Sequence, residues 1–363
     1  MRAFHSSKDA TIDSVAAAAG VSTATVSRFF NEPAMLSADT AARVRKVVDA
    51  MAYVPNRLAG ALASSRTRVV ATVIPTLSNS IFASTVQGLS DSLALHGFGV
   101  VLALSGVNDE HFKRQLMSIM GHRPDGIILT GAVPDPAIRA RLEASGIPTI
   151  ETWDLPADPI DMVVGFSHEA VGRAVGRYVV KTGRRRILIV SAGGPRALAR
   201  RAGFAKVLRN NGIPLPTVAS FPGPTTYGHG RLAVAEHVNA TTRPNLVLCS
   251  SDWAAHGAMD ELRRKRLRIP EDVAVIGFGD LDFAAELDPA LTTVKIDGNA
   301  IGAHAASLLM KRAQGERVRE KIVDVGFELV VRASSPPDLA GTMTARPRGS
   351  AKIRGRPIRG PDS

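Results

Sequence analysis

The fold class that this sequence predicts is an all-α headpiece followed by an α/β core of two parallel-sheet subdomains. Three observations carry it. Residues 11–31 read as a pair of short amphipathic helices, short apolar runs alternate with longer amphipathic segments from residue 68 onward, and that alternation starts again near residue 186.

The helix pair is TIDSVAAAAGVSTATVSRFFN. Ile12, Val15, Ala16 and Ala19 repeat at helical spacing, Gly20 can adopt the left-handed conformation that ends a helix, and Ser22 is placed to cap the next. The second helix, expected over 23–30, turns Val26 and Phe29 or Phe30 inward and Thr23, Ala24, Thr25, Ser27 and Arg28 outward. Small hydroxyls with one arginine suit the DNA major groove, where Arg pairs with guanine and Ser or Thr reaches bases or phosphates. A helix-turn-helix is therefore expected, against an ordinary helical hairpin. Ser37 is placed to cap a third helix whose Val44, Val47, Val48 and Met51 form one face, and the run around Pro55 ends the headpiece. Residues 57–66, RLAGALASSR, are alanine-rich and weakly amphipathic, with Gly60 in the middle, so they read as a plain linker or as a helix that forms only on binding.

In the core, strands are expected over 69–75, 99–104, 126–130, 149–151, 186–191, 246–250 and 273–277, with helices between them. Two successive α/β halves imply a cleft beyond the carboxyl ends of the strands, so the residues just after each strand are the ones to inspect for a ligand. Residues 343–363 are rich in Arg, Pro and Gly without apolar periodicity and are expected to be disordered.

Composition bounds the function. The 363 residues are 45% hydrophobic and 21% charged, enough to bury a large core. The net charge of +12 is concentrated at the ends: residues 1–66 hold eight Lys and Arg against five Asp and Glu, and residues 341–363 hold six against one. Basic ends suggest a polyanionic partner, most simply nucleic acid. The single Cys249 excludes an internal disulfide and a cysteine-based zinc site and fits a reducing compartment. No leader-like segment or membrane-length run is visible, so a cytoplasmic protein is expected.

The motifs TIDSVAAAAGVSTATVSRFFN, YVPNRLAGAL, HRPDGIILT, IPEDVAVIGFGD and LDPALTTVKID, in that order, resemble those of the lactose-repressor/galactose-repressor (LacI/GalR) family of bacterial transcription regulators. The resemblance covers roughly residues 10–335 and implies a DNA-binding headpiece over 1–54, a hinge helix and linker over 55–68, and a periplasmic-binding-protein-like effector and dimerisation core over 69–336; composition alone marks a disordered basic tail over 337–363. It implies that Thr23, Ala24 and Arg28 face base edges, while Thr25, Ser27, Asn31, Tyr53 and Asn56 hold the DNA backbone or close the headpiece. Residues 57–63 match the hinge helix, and Leu62 matches the leucine that wedges into the minor groove. Two headpieces of a homodimer would read a near-palindromic operator.

For the effector cleft, position and resemblance together point to Asn79, Phe82, Glu151, Trp153, Arg196, Arg200, Ser251, Asp252 and Asp280. The family often carries two aspartates after VIGF or VIGY, the first binding sugar hydroxyls. Gly279 stands there, which puts neutral-sugar recognition in doubt and leaves Asp280. Arg196 and Arg200, spaced i and i+4, can hold a carboxylate. IPTIETWD, IDMVVGFSH and IVDVGFEL resemble the gluconate-operon repressor subgroup, so gluconate or a related sugar acid is the expected effector. In the tail, Lys352 and the run Arg354, Gly355, Arg356, Pro357 resemble an AT-hook core, against a plainly solvated basic tail.

The rival readings are a sugar-binding receptor without DNA function, a repressor answering to a neutral sugar, and an enzyme. The receptor has no use for the headpiece. The enzyme would use Cys249, His256 or His168, but Cys249 lies in an apolar strand, and Asp252 with His256 gives an i, i+4 pair lacking a third ligand. No phosphate-binding glycine loop or nucleophile elbow is present, and neither a cofactor nor a metal is expected.

Overall fold

A computed structural model describes residues 10–55, 67–78, 80–106, 109–239, 243–336 and 351–354. The chain divides into two compact units, residues 1–67 and 68–363. Among the described residues no helix is long and apolar enough to cross a membrane.

The first unit holds α1 (Ile12–Ala19), α2 (Thr23–Asn31) and α3 (Ala38–Ala50), with a 3₁₀ turn at Pro33–Met35. Local chemistry sets each boundary. The Thr11 side chain caps α1, and Gly20 ends it at φ 65°. Ser22 Oγ accepts from the Thr25 N–H at 3.2 Å, and Ser37 Oγ accepts from the Thr40 N–H at 3.2 Å, which satisfies donors that the first turns of α2 and α3 leave open. Val15, Val26 and Val44 are fully buried where the three helices meet, and Phe29, Phe30, Val47, Val48, Met51 and Tyr53 pack around them, half-buried.

The second unit has two sheets. The first runs in the order β11-β5-β4-β3-β1-β2, formed by β1 (Val69–Ile74), β2 (Gly99–Leu104), β3 (Gly126–Thr130), β4 (Thr149–Thr152), β5 (Met162–Gly165) and β11 (Ile322–Asp324), all parallel. The second runs β13-β12-β10-β9-β8-β6-β7, from β6 (Ile187–Ala192), β7 (Thr217–Phe221), β8 (Leu246–Cys249), β9 (Ala274–Gly279), β10 (Thr292–Lys295), β12 (Glu328–Val331) and β13 (Ala351–Arg354). β12 is antiparallel to both β10 and β13. The buried centre of β1, β3 and β4 reflects helices on both faces, whereas β2 lies at an edge with Val101, Leu102 and Leu104 exposed.

The helices are α4 (Ala83–Ala94), α5 (Asp109–Gly121), α6 (Pro136–Ser145), α7 (His168–Lys181), α8 (Pro195–Asn210), α9 (Tyr227–His237), α10 (Asp252–Arg264) and α11 (Gly298–Ala313). Two expectations are corrected. The halves are not simply successive: α11 packs on α4, and β11 joins the first sheet, so the chain crosses between subdomains after β5, after β10 and after β11. Those crossings depend on where the apolar faces of α11 and the short β11 find partners, which strand-and-helix periodicity does not reveal. The tail was expected to be disordered, yet Ala351–Arg354 pairs along the open edge of β12. The remainder of that tail, the hinge segment 57–63 with Leu62, and Asn56 and Asn79 lie outside the described residues.

Candidate functional site

In the headpiece, the capping of α2 by Ser22 presents Thr23, Ala24, Ser27 and Arg28 to solvent, while Thr25 is half-buried. The Thr25 hydroxyl shares a 2.9 Å hydrogen bond with Ser22 Oγ, which ties it to the cap. Asn31 is exposed but donates from Nδ2 to the Ser27 carbonyl at 3.0 Å, closing the last turn of α2. Tyr53 stands 6.0 Å from Phe30, centroid to centroid, and belongs to the small core. The outer face of α2 is thus one arginine among small side chains, shaped to approach a groove closely.

In the core, the carboxyl ends of the two sheets face one cleft, and an aromatic series runs across it. Phe82 meets Trp153 edge-on at 5.0 Å, Trp153 meets Phe166 at 5.9 Å, and Phe166 lies 6.5 Å from Phe278. Phe82 and Trp153 belong to the first subdomain, Phe278 is the penultimate residue of β9 in the second, and Phe166 lies on the crossing between them. Two guanidiniums from α8 enter this cleft. The Arg196 guanidinium lies 5.7 Å from the Phe82 ring centroid and beside Gly131, where an added Cβ would stand 3.8 Å from its Cζ. The Arg200 guanidinium lies 4.1 Å from the Phe278 ring and donates to His168 Nδ1 at 3.0 Å.

Burial governs the charges here. It lowers the Arg196 guanidinium below its ordinary value, against the pull of the nearby Asp154 charge. Burial and then the like charge of Arg196 push Arg200 down to about 9, so Arg200 stays cationic at neutral pH. Both retain partial solvent exposure. Neither forms an ion pair with a carboxylate among the described residues; rings and an imidazole lie against them, and the Asp154 charge acts on Arg196 from nearby. Beneath Arg200 and Phe278 lies a cavity of about 40 Å³, lined also by Gly172, Ser191, Phe204 and Ser250. That is far below the several hundred Å³ of ordinary ligand pockets, so this cavity within the second subdomain is too small to hold a sugar-sized ligand.

The other effector candidates have partners within the protein. Glu151 is wholly buried on the α6 side of the first sheet, accepting from the Val133 and Ile160 N–H groups at 3.1 and 2.8 Å; burial raises its carboxyl, against those hydrogen bonds. Trp153 is core, 2% exposed, and its Nε1 donates to Thr85 Oγ1 at 2.9 Å. Ser251 Oγ caps α10 by accepting from the Ala254 N–H at 3.2 Å, and it also bonds Thr225. Asp252 holds the Thr293 hydroxyl and the Leu281 N–H at 2.6 and 2.8 Å. Asp280 is ion-paired with Arg332 at 2.8 Å. His256 faces Asp260 at 3.5 Å rather than pairing with Asp252.

The structure brings Phe82, Arg196 and Arg200 together, with Trp153 behind them. Sequence reasoning overlooked Phe166 and Phe278 as cleft residues and weighed His168 only as a catalytic candidate. Position right after β5 and at the end of β9 was the available signal. Cys249 is 2% exposed, and burial raises its thiol far above the usual range, so it is inert. Among the described residues no group of His, Cys, Asp and Glu could hold a metal ion.

Comparison with known proteins agrees with this two-part build. Residues 11–56 match the model for bacterial regulatory proteins of the lacI family, and residues 177–335 match the periplasmic binding protein-like domain. The HTH-type transcriptional regulator GntR of Pseudomonas aeruginosa is 31% identical over 327 residues, covering 90% of this chain and 95% of that protein. A LacI-family transcriptional regulator from Silicibacter pomeroyi has the same fold, with TM-score 0.82 and 30% identity over 90% of this chain and 99% of that one. The lac repressor dimer bound to operator and the anti-inducer ONPF matches with TM-score 0.76 and 26% identity, covering 90% of this chain and 99% of that one. A capped, DNA-compatible helix on a three-helix headpiece, a two-sheet core with a charged cleft and relatives spanning nearly the whole chain lead to one conclusion: this protein belongs to the LacI family of bacterial regulatory proteins and is a DNA-binding transcription regulator, not an enzyme.

Proposed function

We propose that this regulator is a homodimeric repressor that binds a near-palindromic operator and is controlled by a sugar acid, gluconate or a close relative, held between the two core subdomains. The observation that carries the effector class is the Arg196 and Arg200 pair, two cationic donors in one cleft with no carboxylate paired to either among the described residues. A carboxylate accepts from guanidinium in charge-assisted bonds and offsets the repulsion between the two like charges. The aromatic rings supply an apolar wall for the carbon chain of the ligand. Gly279 further favours an acid, because no carboxylate stands there to take sugar hydroxyls. Relatives named GntR support the same class.

On the DNA side, Thr23, Ala24 and Arg28 read base edges, Thr25, Ser27, Asn31, Tyr53 and Asn56 hold the backbone or the headpiece, and Leu62 in the hinge wedges into the minor groove. A cytoplasmic location follows from the DNA target. Dimerisation is supported by the exposed apolar edge of β2, with Val101 at 52% exposure, and by the dimeric state of the lac repressor on its operator.

Isothermal calorimetry with gluconate, ketogluconates and neutral hexoses, combined with footprinting on DNA flanking the encoding gene, tests this reading. Tight binding of a sugar acid that alters operator occupancy is expected. Tight binding of a neutral hexose alone, or the lack of any protected palindrome, refutes it.

A further inference from the structure

His168 is the first residue of α7 and 4% exposed, just past the crossing between subdomains. Both its ring nitrogens are engaged. Nε2 lies 2.8 Å from the Trp153 carbonyl oxygen of the first subdomain, and Nδ1 lies 3.0 Å from Arg200 Nη1 of the second. A carbonyl only accepts and a guanidinium only donates, so these partners dictate one state: hydrogen on Nε2, a lone pair on Nδ1 and no charge. Adding a proton to Nδ1 would aim an N–H at a guanidinium.

The surrounding groups reinforce that state. Burial, and then the charges of Arg200 and Arg196 on α8, hold the imidazole well below its usual value. Asp154, beyond β4, acts on Arg196, and Glu169 beside His168 is engaged by Arg173 of the same helix. The remaining faces are the rings of Phe166 and Phe278. The helix pair makes the alignment rigid. A Cβ on Gly172 of α7 would stand 1.9 Å from the Arg200 carbonyl oxygen, and one on Gly203 of α8 would stand 2.2 Å from the Glu169 carbonyl oxygen, so the two backbones touch where His168 and Arg200 meet.

We infer that His168 is the positioning residue of the effector site: its Nδ1 lone pair aims Arg200 until a ligand carboxylate takes over that guanidinium, whereupon the freed Nδ1 takes up a proton. This rests on the sugar-acid reading of the cleft. A carboxylate is the stronger acceptor for guanidinium, and its charge offsets the positive field that keeps the imidazole neutral. One N–H bond forms at Nδ1 with a proton from water, Nε2 keeps its hydrogen, and the added positive charge balances the ligand's negative one. Proton uptake on binding makes affinity rise as pH falls, by at most about tenfold per pH unit for one proton. Through the Trp153 carbonyl, the same imidazole ties the Arg200 site to the opposite subdomain.

Nitrogen-15 NMR of the histidines in the full-length, ligand-free protein reads the first half of the proposal. His168 should appear as the Nε2–H form with a midpoint well below the ordinary histidine value, and Arg200→Met should raise that midpoint. Calorimetry of the unsubstituted protein with gluconate, in two buffers of different ionisation heat, reads the second half. Proton uptake, and affinity that tightens as pH falls toward the ligand-free midpoint, are expected. His168→Gln, which keeps an acceptor for Arg200 but cannot gain a proton, should bind gluconate with pH-independent affinity. Gluconate binding with buffer-independent heat and a flat pH response overturns the proposal while leaving the sugar-acid reading intact. Failure of every sugar acid to bind removes that reading and the proton coupling with it. The aiming of Arg200 then stands or falls on the ligand-free spectrum, where a midpoint unmoved by Arg200→Met overturns it.

Discussion

Asp252 Oδ1 accepts a 2.6 Å hydrogen bond from Thr293 Oγ1, and both residues are fully buried where α10 meets β10. Burial pushes the Asp252 carboxyl up to about 6, while the Thr293 and Leu281 hydrogen bonds oppose that shift and the Asp280 charge adds to it. The folded protein therefore binds more protons here than the unfolded chain between the ordinary aspartate value of 3.8 and about 6. Stability from this group is fully present below that window and is lost as pH rises through it, by at most about 3 kcal/mol. Urea unfolding, followed by the fluorescence of Trp153 and Trp253, should show the advantage of the unsubstituted protein over Asp252→Asn shrinking as pH rises through the window. An advantage that grows instead would contradict the raised carboxyl.

Gly279 has φ 134°, and a Cβ there would lie 3.3 Å from Asp252 Oδ2. Gly279→Asp introduces a second carboxylate beside Asp252 together with backbone strain, whereas Gly279→Ala introduces the strain alone. Gluconate affinity should drop about tenfold or more in the Asp variant relative to the Ala variant, consistent with roughly 1.4 kcal/mol of added repulsion. Calorimetry showing equal affinities would remove Gly279 from the basis of acid selectivity.

Gly172→Ala places a methyl against the Arg200 carbonyl oxygen, at a backbone distance that no rotamer change relieves. The core should lose about 1–3 kcal/mol or more, and gluconate affinity should fall because α8 must move. Thermal melts and calorimetry on the same samples measure both. Loss of stability with unchanged affinity would show that the cleft tolerates displacement of α8.

Ser22→Ala removes the cap of α2 and the partner of the Thr25 hydroxyl. About 1 kcal/mol of headpiece stability should be lost, with weaker operator binding and unaltered gluconate binding. Hydrogen exchange of the α2 amides with operator titration reads the effect, and unaltered exchange would mean that the turn holds without its cap.

Arg28→Ala should cost about 1–3 kcal/mol of operator affinity and relax specificity at one base position per half-site. Anisotropy titrations against operators varied one base at a time distinguish this from a phosphate contact, which would weaken all sequences alike.

Periodic and capping signals are local, and they were legible. Gly20, Ser22 and Ser37 mark helix ends of the headpiece, because an N-cap or a left-handed terminator acts within a few residues of itself. The starts and ends of β2 and β3 were equally readable from short apolar runs. The cleft was legible only as a set of positions after strands. A residue there either faces the ligand or serves the helix that follows, and Ser251 does the second by capping α10. Glu151 looked like a ligand group at a strand end, but the strand's alternation turned it to the α6 side, where backbone donors engage it.

The sequence by itself determined the headpiece, the α/β texture and the arginine pair one helical turn apart, because each rests on contacts between near neighbours in the chain. Only the tertiary structure decided that α11 and β11 return to the first subdomain, and that His168 stands between Trp153 and Arg200. Those meetings join residues separated by long stretches of chain. They depend on which apolar faces pack together and on helices brought into backbone contact at Gly172 and Gly203, and one-dimensional spacing carries no such information.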